Sequence, residues 1–309
     1  MELIQLGQQG PKVAAIGVGT WAWGDRLFWE YGRGYGKAEL RSAFQASLAQ
    51  GLSFFDTAEI YGLGLSEKLL GEFAAEAKAE IVIASKCFPY PWRVSARLLK
   101  GALKRSLKRL GVAQIQLYQI HWPYAPVSIE NWMHAMADMV EAGLVKQIGV
   151  SNYNPRQMER AFRTLESRGL HLASNQVSYS LLDRWPERSG LLQLCKDLGV
   201  TLIAYSPIAQ GLLTGKYGPQ NMPPGTRSLR TSRAGLRRIK PLLDELLRIG
   251  LAHNNKTPVQ VALNWCIAKG TLPIPGAKNQ RQAQENAGAL GWSLTEEDAA
   301  RLDEASDAI

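Results

Sequence analysis

Residues 53–86, SFFDTAEIYGLGLSEKLLGEFAAEAKAEIVIASK, hold one complete strand, helix and strand unit. The run Ser53 to Asp56 is short, apolar and closed by a carboxylate, and Ser66 to Ala77 repeats its apolar residues at helical spacing. A second short run, Ile81 to Lys86, ends in a lysine. Two strands joined by a helix of this length read as a parallel βαβ unit rather than a hairpin.

The same unit recurs along the chain. Further strand-like runs occupy Ile16 to Gly19, Ile115 to His121, Gln147 to Ser151, Ser174 to Val177, Thr201 to Tyr205 and Leu272 to Pro275. Helical stretches fall at Ala38 to Gln50, Ser95 to Leu110, Ile129 to Glu141, Pro155 to Ser167, Gly190 to Leu198 and Pro258 to Lys269. Glycines 51, 111, 143, 169 and 199 stand where helices stop. Eight strand and helix units without a dividing linker predict an α/β protein built as one (β/α)8 TIM barrel over residues 1–309, with an N-terminal capping hairpin at Leu3 to Leu6 and Lys12 to Ala14.

A doubly wound sheet is the alternative, and it usually brings a G-x-G-x-x-G turn after its first strand. Gly17 and Gly19 begin that pattern, but Ala22 stands at the third glycine. A phosphate loop fails likewise at 211–216, where Gln210 replaces the first glycine and Tyr217 the hydroxyl residue.

Composition narrows the function classes. With 46% hydrophobic and 20% charged residues the chain has ample material for a core. Its 36 basic and 27 acidic residues give +9, but 226–241 alone holds Arg227, Arg230, Arg233, Arg237, Arg238 and Lys240 with no acid, so the remainder is only 30 minus 27, or +3. That local segment reads as a clamp or funnel for an anionic ligand, or as a solvated face, and no nucleic-acid module accompanies it. Three scattered cysteines, Cys87, Cys195 and Cys266, suggest neither a disulfide framework nor a metal site and suit the cytoplasm. No apolar run approaches membrane-spanning length, and no secretory signal is evident.

A barrel places its chemistry at the carboxyl ends of its strands. There the second strand ends in Asp56 with Tyr61 in its loop, the third ends in Lys86 and the fourth in His121. A tyrosine near its ordinary pKa of about 10 is a poor acid at neutrality, and an adjacent lysine is expected to lower it. Asp56 would orient that ammonium group, and His121, as a neutral donor, would position a carbonyl oxygen. The set suits protonation of an oxygen as hydride reaches its carbon, and no serine or cysteine is paired with a base for acyl transfer.

These residues lie in ordered motifs: FDTAEIYG (55–62), GLSEKLLG (64–71), IASK (83–86), SLKRLG and LYQIHWP within 106–123, GLVKQIGVSNY (143–153), NQVSYS (175–180), AYSPIAQGLLTGK (204–216) and IPGAKNQRQAQENAGAL (274–290). Together the motifs resemble the aldo-keto reductase superfamily over essentially the whole chain. The resemblance implies an NADPH-dependent reductase of aldehydes and ketones with Asp56, Tyr61, Lys86 and His121 as its tetrad.

It further implies that Ser151, Asn152 and Gln176 hold the nicotinamide carboxamide and that Tyr205 stacks on the ring. Gly19, Thr20 and Trp21 after the first strand belong to the same cofactor set. Ser206, Ile208, Gln210, Gly211, Leu212 and Lys216 would follow the pyrophosphate, and Ile274, Gly276, Lys278, Gln282, Glu285 and Asn286 the adenosine end, with a helix amino terminus favouring an anion. Relatives often carry Lys-Ser where this chain has Gly276-Ala277, which leaves Lys278 as the expected 2′-phosphate partner, aided by Arg227 and Arg233. Trp21, Trp23, Trp92 and Trp122 are expected at the substrate pocket, whereas Trp132, Trp185, Trp265 and Trp292 read as packing and Cys87 as facing away from the mouth. The partner implied is a small carbonyl compound, with a pyridoxal-reductase-like subgroup nearest in pattern. A regulatory NADPH-binding subunit acting through a protein partner is the competing reading.

Overall fold

Side chains alternate along a strand, so each apolar run sends every second residue to the opposite face. In the computed structural model, which describes residues 3–225, 228 and 231–309, this parity sorts the molecule into a barrel interior and an outer helix layer. An antiparallel hairpin, β1 (Leu3–Gln5) with β2 (Lys12–Ala14), comes first. Eight parallel strands follow, each paired with its neighbour in sequence: β3 (Val18–Gly19), β4 (Phe54–Asp56), β5 (Val82–Cys87), β6 (Ile115–Ile120), β7 (Val145–Ser151), β8 (Leu172–Ser178), β9 (Thr201–Tyr205) and β10 (Leu272–Pro273).

The two edges of this sheet meet. The Gly17 amide donates to the Pro273 carbonyl at 2.9 Å and the Gly19 amide to Pro275 at 3.1 Å, which closes the barrel. A Cβ at Gly19 would lie 2.7 Å from the Ile274 carbonyl oxygen, so the seam requires glycine there. Leu6, Val13, Phe54, Ala84, Leu117, Ala173, Ile203, Leu272 and Ile274 fill the interior. The hairpin therefore plugs the amino-terminal end of the barrel, as its sequence predicts. It is fastened there by the Gly7 amide, which donates to Thr201 Oγ1 at 2.7 Å.

The outer layer comprises α1 (Lys37–Ala49), α2 (Leu65–Ala77), α3 (Ala96–Leu110), α4 (Ile129–Glu141), α5 (Pro155–Glu166), α6 (Trp185–Arg188), α7 (Leu191–Asp197), α8 (Arg233–Arg238), α9 (Lys240–Ala252), α10 (Pro258–Ala268), α11 (Gln280–Ala287) and α12 (Glu296–Asp307). Capping boxes at Asn154 with Gln157 and at Thr257 with Gln260, each followed by proline in the first turn, set the starts of α5 and α10. Five of the described helices, α6, α8, α9, α11 and α12, lie outside the segments read as helical. The arginine-rich connection is thus partly helical: Ser232 caps α8 and Arg233 opens it. Arg227 and Arg230 lie outside the described residues.

Tryptophan placement corrects two expectations. Trp23, expected at the substrate pocket, is fully buried against Phe55 and Phe73, and its indole donates to the Ala277 carbonyl at 2.9 Å. Trp185, expected to pack, is 44% exposed at the start of a four-residue helix too short to cover it. Trp132 and Trp265 are buried in the core.

Candidate active site

Interior parity carries polar residues to the mouth once the apolar ones end. Asp56 follows Phe54 on β4, Lys86 follows Ala84 on β5, and Gln119 follows Leu117 on β6, each two residues further along, with His121 in step just past the end of β6. Cys87 has the opposite parity and packs in the outer layer, as expected. Tyr61 reaches the same point from a 3-10 turn, Tyr61–Gly64. At Gly62 in that turn φ is +55°, and a Cβ would lie 2.7 Å from the Gly24 carbonyl oxygen, so only glycine lets the two loops touch.

Lys86 is the centre of the cluster. Its ammonium, without exposed surface, donates to Asp56 Oδ1 at 2.5 Å, to the Thr57 carbonyl at 3.0 Å and to the Tyr61 hydroxyl at 3.2 Å. Asp56 Oδ2 accepts from Gln176 Nε2 at 2.8 Å and from Gln119 Nε2 at 3.3 Å. The Tyr61 ring meets His121 edge to face, with centroids 5.8 Å apart.

The electrostatics differ from the expectation in one respect. Burial, with the Asp56 charge adding to it, pushes the Tyr61 phenol well above its ordinary value, so the tyrosine keeps its proton instead of tending to phenolate. Burial also lowers Lys86, and Asp56 and Glu67 oppose that loss of charge. His121 is held well below its usual range, chiefly by burial and then by the Lys86 cation, and is neutral as expected. Its Nδ1 is buried and has no hydrogen-bond partner among the described residues. Such a cluster can protonate an oxygen from a phenol, stabilise the charge left behind through an ammonium group, and offer a neutral imidazole beside both.

The remaining expected residues divide into those offered to a ligand and those consumed by the framework. Asn152, with φ of +62°, donates to the His121 carbonyl and to Ser151 Oγ, both at 3.0 Å, and accepts from the Tyr205 hydroxyl at 3.0 Å. Ser151 Oγ donates to the Gln176 carbonyl at 2.9 Å, so Ser151, Asn152, Gln176 and Tyr205 form one connected patch beside the tetrad. After β9, Ser206, Ala209, Gln210 and Gly211 all have positive φ, which folds the 3-10 turn Ala209–Thr214 tightly over the mouth and leaves Ile208, Gln210 and Leu212 partly exposed. Lys216 is exposed, with its ammonium 4.7 Å from the Tyr217 ring centroid.

Thr20 and Ile274 are the consumed ones. Thr20 is fully buried and its hydroxyl donates to the Asp56 carbonyl at 2.9 Å, so it steadies the tetrad rather than facing a ligand. The Ile274 side chain fills the barrel interior. At the other end Gly276 is exposed, Asn286 donates to its carbonyl at 3.3 Å, and Gln282 Oε1 accepts from the Lys278 amide at 2.8 Å beside the Asn279 cap of α11. Glu285 is partly buried on α11. The Lys278 ammonium lies 4.7 Å from the Tyr35 ring and 5.5 Å from that of Trp29. Arg233 is exposed on α8.

Aromatic rings rim the opening. Trp21 stacks on Phe28 and lies 6.4 Å from Tyr61, Tyr90 stacks on Trp92, Trp122 stacks on Tyr124, and Phe88 meets His121 edge on. Trp92 is 69% exposed at the outer edge of this rim. The sequence reading missed Gln119, Glu59 and Arg93. Gln119 could have been found from its two-residue spacing to His121, whereas nothing local marks the other two as a pair. Among the described residues no cluster of histidine, cysteine, aspartate or glutamate could hold a metal, and no helix is long and apolar enough to cross a membrane.

Comparison with known proteins agrees with this fold. The model of the aldo/keto reductase family matches residues 15–307. The chloroplastic pyridoxal reductase of Arabidopsis thaliana is 41% identical over 97% of this chain and 85% of its own length. A thermostable aldo-keto reductase, Tm1743, crystallised with the inhibitor epalrestat, superposes with a TM-score of 0.82 at 32% identity over 99% of this chain and all of its own. An aldo-keto reductase of Klebsiella pneumoniae solved in complex with NADPH gives 0.78 at 28% identity over 98% of this chain and 94% of its own. With the family model spanning nearly its whole length and the barrel closed around the Asp56, Tyr61, Lys86 and His121 cluster, the chain belongs to the aldo/keto reductase family.

Proposed function

We propose that this protein is an NADPH-dependent reductase that converts aldehydes or ketones to alcohols, with Tyr61 as the proton donor. The observation that carries the reading is the continuous hydrogen-bonded line Asp56, Lys86, Tyr61 at the open end of the barrel, with neutral His121 against the tyrosine.

The residues present fit the cofactor. Asn152 is fixed in a left-handed conformation beside half-buried Tyr205, which offers a flat face and a polar edge together. The tight turn after β9 and the amino terminus of α11 supply backbone amide groups and positive dipole for phosphate, and Lys278 adds a cation. When bound, the cofactor supplies hydride to a carbonyl carbon.

The chain's own residues manage the proton. Tyr61 releases it to the carbonyl oxygen, and Lys86 stabilises the phenolate left behind through its 3.2 Å contact. Asp56 keeps Lys86 charged and aimed in a site that would otherwise discharge it. His121 carries no charge that would compete for the developing alkoxide, and it steers the carbonyl by hydrogen bonding. Aromatic walls from Trp21, Phe88 and Trp122 exclude water and favour flat substrates. With a relative described as a pyridoxal reductase, an aromatic aldehyde such as pyridoxal is the first substrate to test.

The deciding experiment follows the loss of nicotinamide absorbance with NADPH, then NADH, against pyridoxal, other aromatic and aliphatic aldehydes and ketones. Turnover with NADPH preferred is the expected result. Cofactor binding without turnover on any of them would instead favour a regulatory NADPH-binding subunit.

A further inference from the structure

Charge is unevenly dealt around the helical ring. Outside 226–241 the chain carries 30 basic and 27 acidic residues, and α3 alone holds six of those cations, Arg97, Lys100, Lys104, Arg105, Lys108 and Arg109, with no acid. The chain outside both segments therefore sums to 24 minus 27, or −3. Arg109 turns inward to buried Glu67 of α2. The other five are exposed, and among the described residues none of them has an ion pair.

The neighbouring helices spend their acids elsewhere. α3 packs between α2 and α4. On α2, Glu72 and Glu76 pair with Lys37 and Arg41 of α1. On α4, Glu130 pairs with Arg160 of α5, and Asp138 and Glu141 pair with Arg168 just beyond it. With Glu67 taken by Arg109, these are all the acids of both helices. The outward face of α3 is left with Arg97, Lys100, Lys104 and Lys108 at spacings of three, four and four, a row about 17 Å long at 1.5 Å per residue, and Arg105 beside it. Like charges one turn apart repel, and Arg97 in the first turn also opposes the helix dipole. An external anion would relieve both.

An apolar edge adjoins the row at its amino-terminal end, which the loop after β5 places at the mouth. Trp92, Val94 and Leu98 there, with Leu63 after β4 and Tyr124 after β6, are 43% to 90% exposed, and β4, β5 and β6 are consecutive in the sheet. Tryptophan and tyrosine at apolar tips suit the headgroup layer of a bilayer, where one end of the ring is apolar and the other wet. Three of the five cations are lysines, which protein interfaces disfavour and anionic lipid surfaces attract as they do arginine. We propose that α3 and the loop tips beside it form a docking surface for an anionic lipid bilayer. The five cations meet lipid phosphates, and Trp92, Val94 and Leu98 enter the headgroup layer.

The test is co-sedimentation of the full chain with phosphatidylcholine vesicles with and without about 30% phosphatidylglycerol, at about 0.15 M salt. Sedimentation with the anionic vesicles alone is the expected result, and its absence overturns the proposal. Joint Lys100→Gln and Lys104→Gln substitution should weaken partition about 25-fold, at about five-fold for each cation. Arg237→Gln with Arg238→Gln, on the other basic segment, should leave it unchanged. Equal losses in the two pairs would mean that net charge alone attracts the vesicles, and would overturn the assignment to α3. Trp92→Ser should weaken partition several-fold, with the same ratio at high salt because the lost contact is apolar. Unchanged partition in Trp92→Ser overturns insertion of the tips. Tighter binding of polyglutamate than of the vesicles, abolished by the α3 pair, would overturn the bilayer in favour of an acidic protein.

Discussion

Glu59 and Arg93 form a buried ion pair, with side chains 7% and 5% exposed, that joins the loop bearing Tyr61 to the loop bearing Tyr90 and Trp92. Arg93 Nη2 donates to Glu59 Oε2 at 3.2 Å, Glu59 Oε1 accepts from the Phe88 amide at 2.7 Å, and the guanidinium also reaches Cys87 Sγ at 2.9 Å and lies over the Tyr90 ring. Tyr61 and the aromatic rim are thereby placed by one contact. Arg93→Met would leave Glu59 buried without its counter-charge, at about 3–5 kcal/mol in stability. Adding Glu59→Gln, which keeps an acceptor for Phe88, should restore much of it. Urea unfolding of the single and double variants checks this, and independent, additive losses would argue that the two side chains are not coupled.

Tyr61→Phe should leave NADPH affinity nearly unchanged and lower kcat about 10²- to 10⁴-fold, the usual value of a positioned general acid. Single-turnover rates measured beside binding separate the two effects. A variant that reduces aldehydes at the original rate would remove Tyr61 from its proposed role.

His121 gives the stability curve a sign. Its folded value is held well below 6.5, so below that pH the unfolded chain binds a proton that the folded one refuses. Stability is fully present above about pH 6.5 and falls as the pH drops toward the folded value, by up to about 1.4 kcal/mol per unit for one proton. His121→Gln lacks this penalty, so the stability difference between the two proteins should shift in favour of the variant on acidification from pH 6.5 to 5. Parallel curves over that range would show that His121 is not the group responsible. The kcat profile should correspondingly show no break near pH 6.5.

Lys278→Ala should narrow the preference for NADPH over NADH by about ten-fold, the worth of a charge-assisted hydrogen bond to phosphate. Comparing Kd for the two cofactors tests it, and an unchanged ratio would move the 2′-phosphate to another cation.

Arg233→Ala should weaken NADPH binding more at low than at high salt if the exposed guanidinium steers the anion. Equal affinity under both conditions would make the residue part of a solvated face.

Much of this molecule is determined locally. The strand runs, the glycine stops and the capping pairs at Asn154 and Thr257 specify the elements, because backbone preference and side-chain parity act over a few residues. Parity alone carries Asp56, Lys86 and His121 to the mouth, and the motif around Tyr61 places it in the adjoining turn. Tertiary structure decided what depends on contacts between distant segments. It put Trp23 in the core against Phe73 and Ala277, consumed Thr20 in holding Asp56, paired Glu59 with Arg93, and set Gln119 and Gln176 on one carboxylate oxygen. It also reversed the expected shift of Tyr61. Proximity to Lys86 is legible in the chain, but burial and the distance to the Asp56 charge exist only once the barrel has closed.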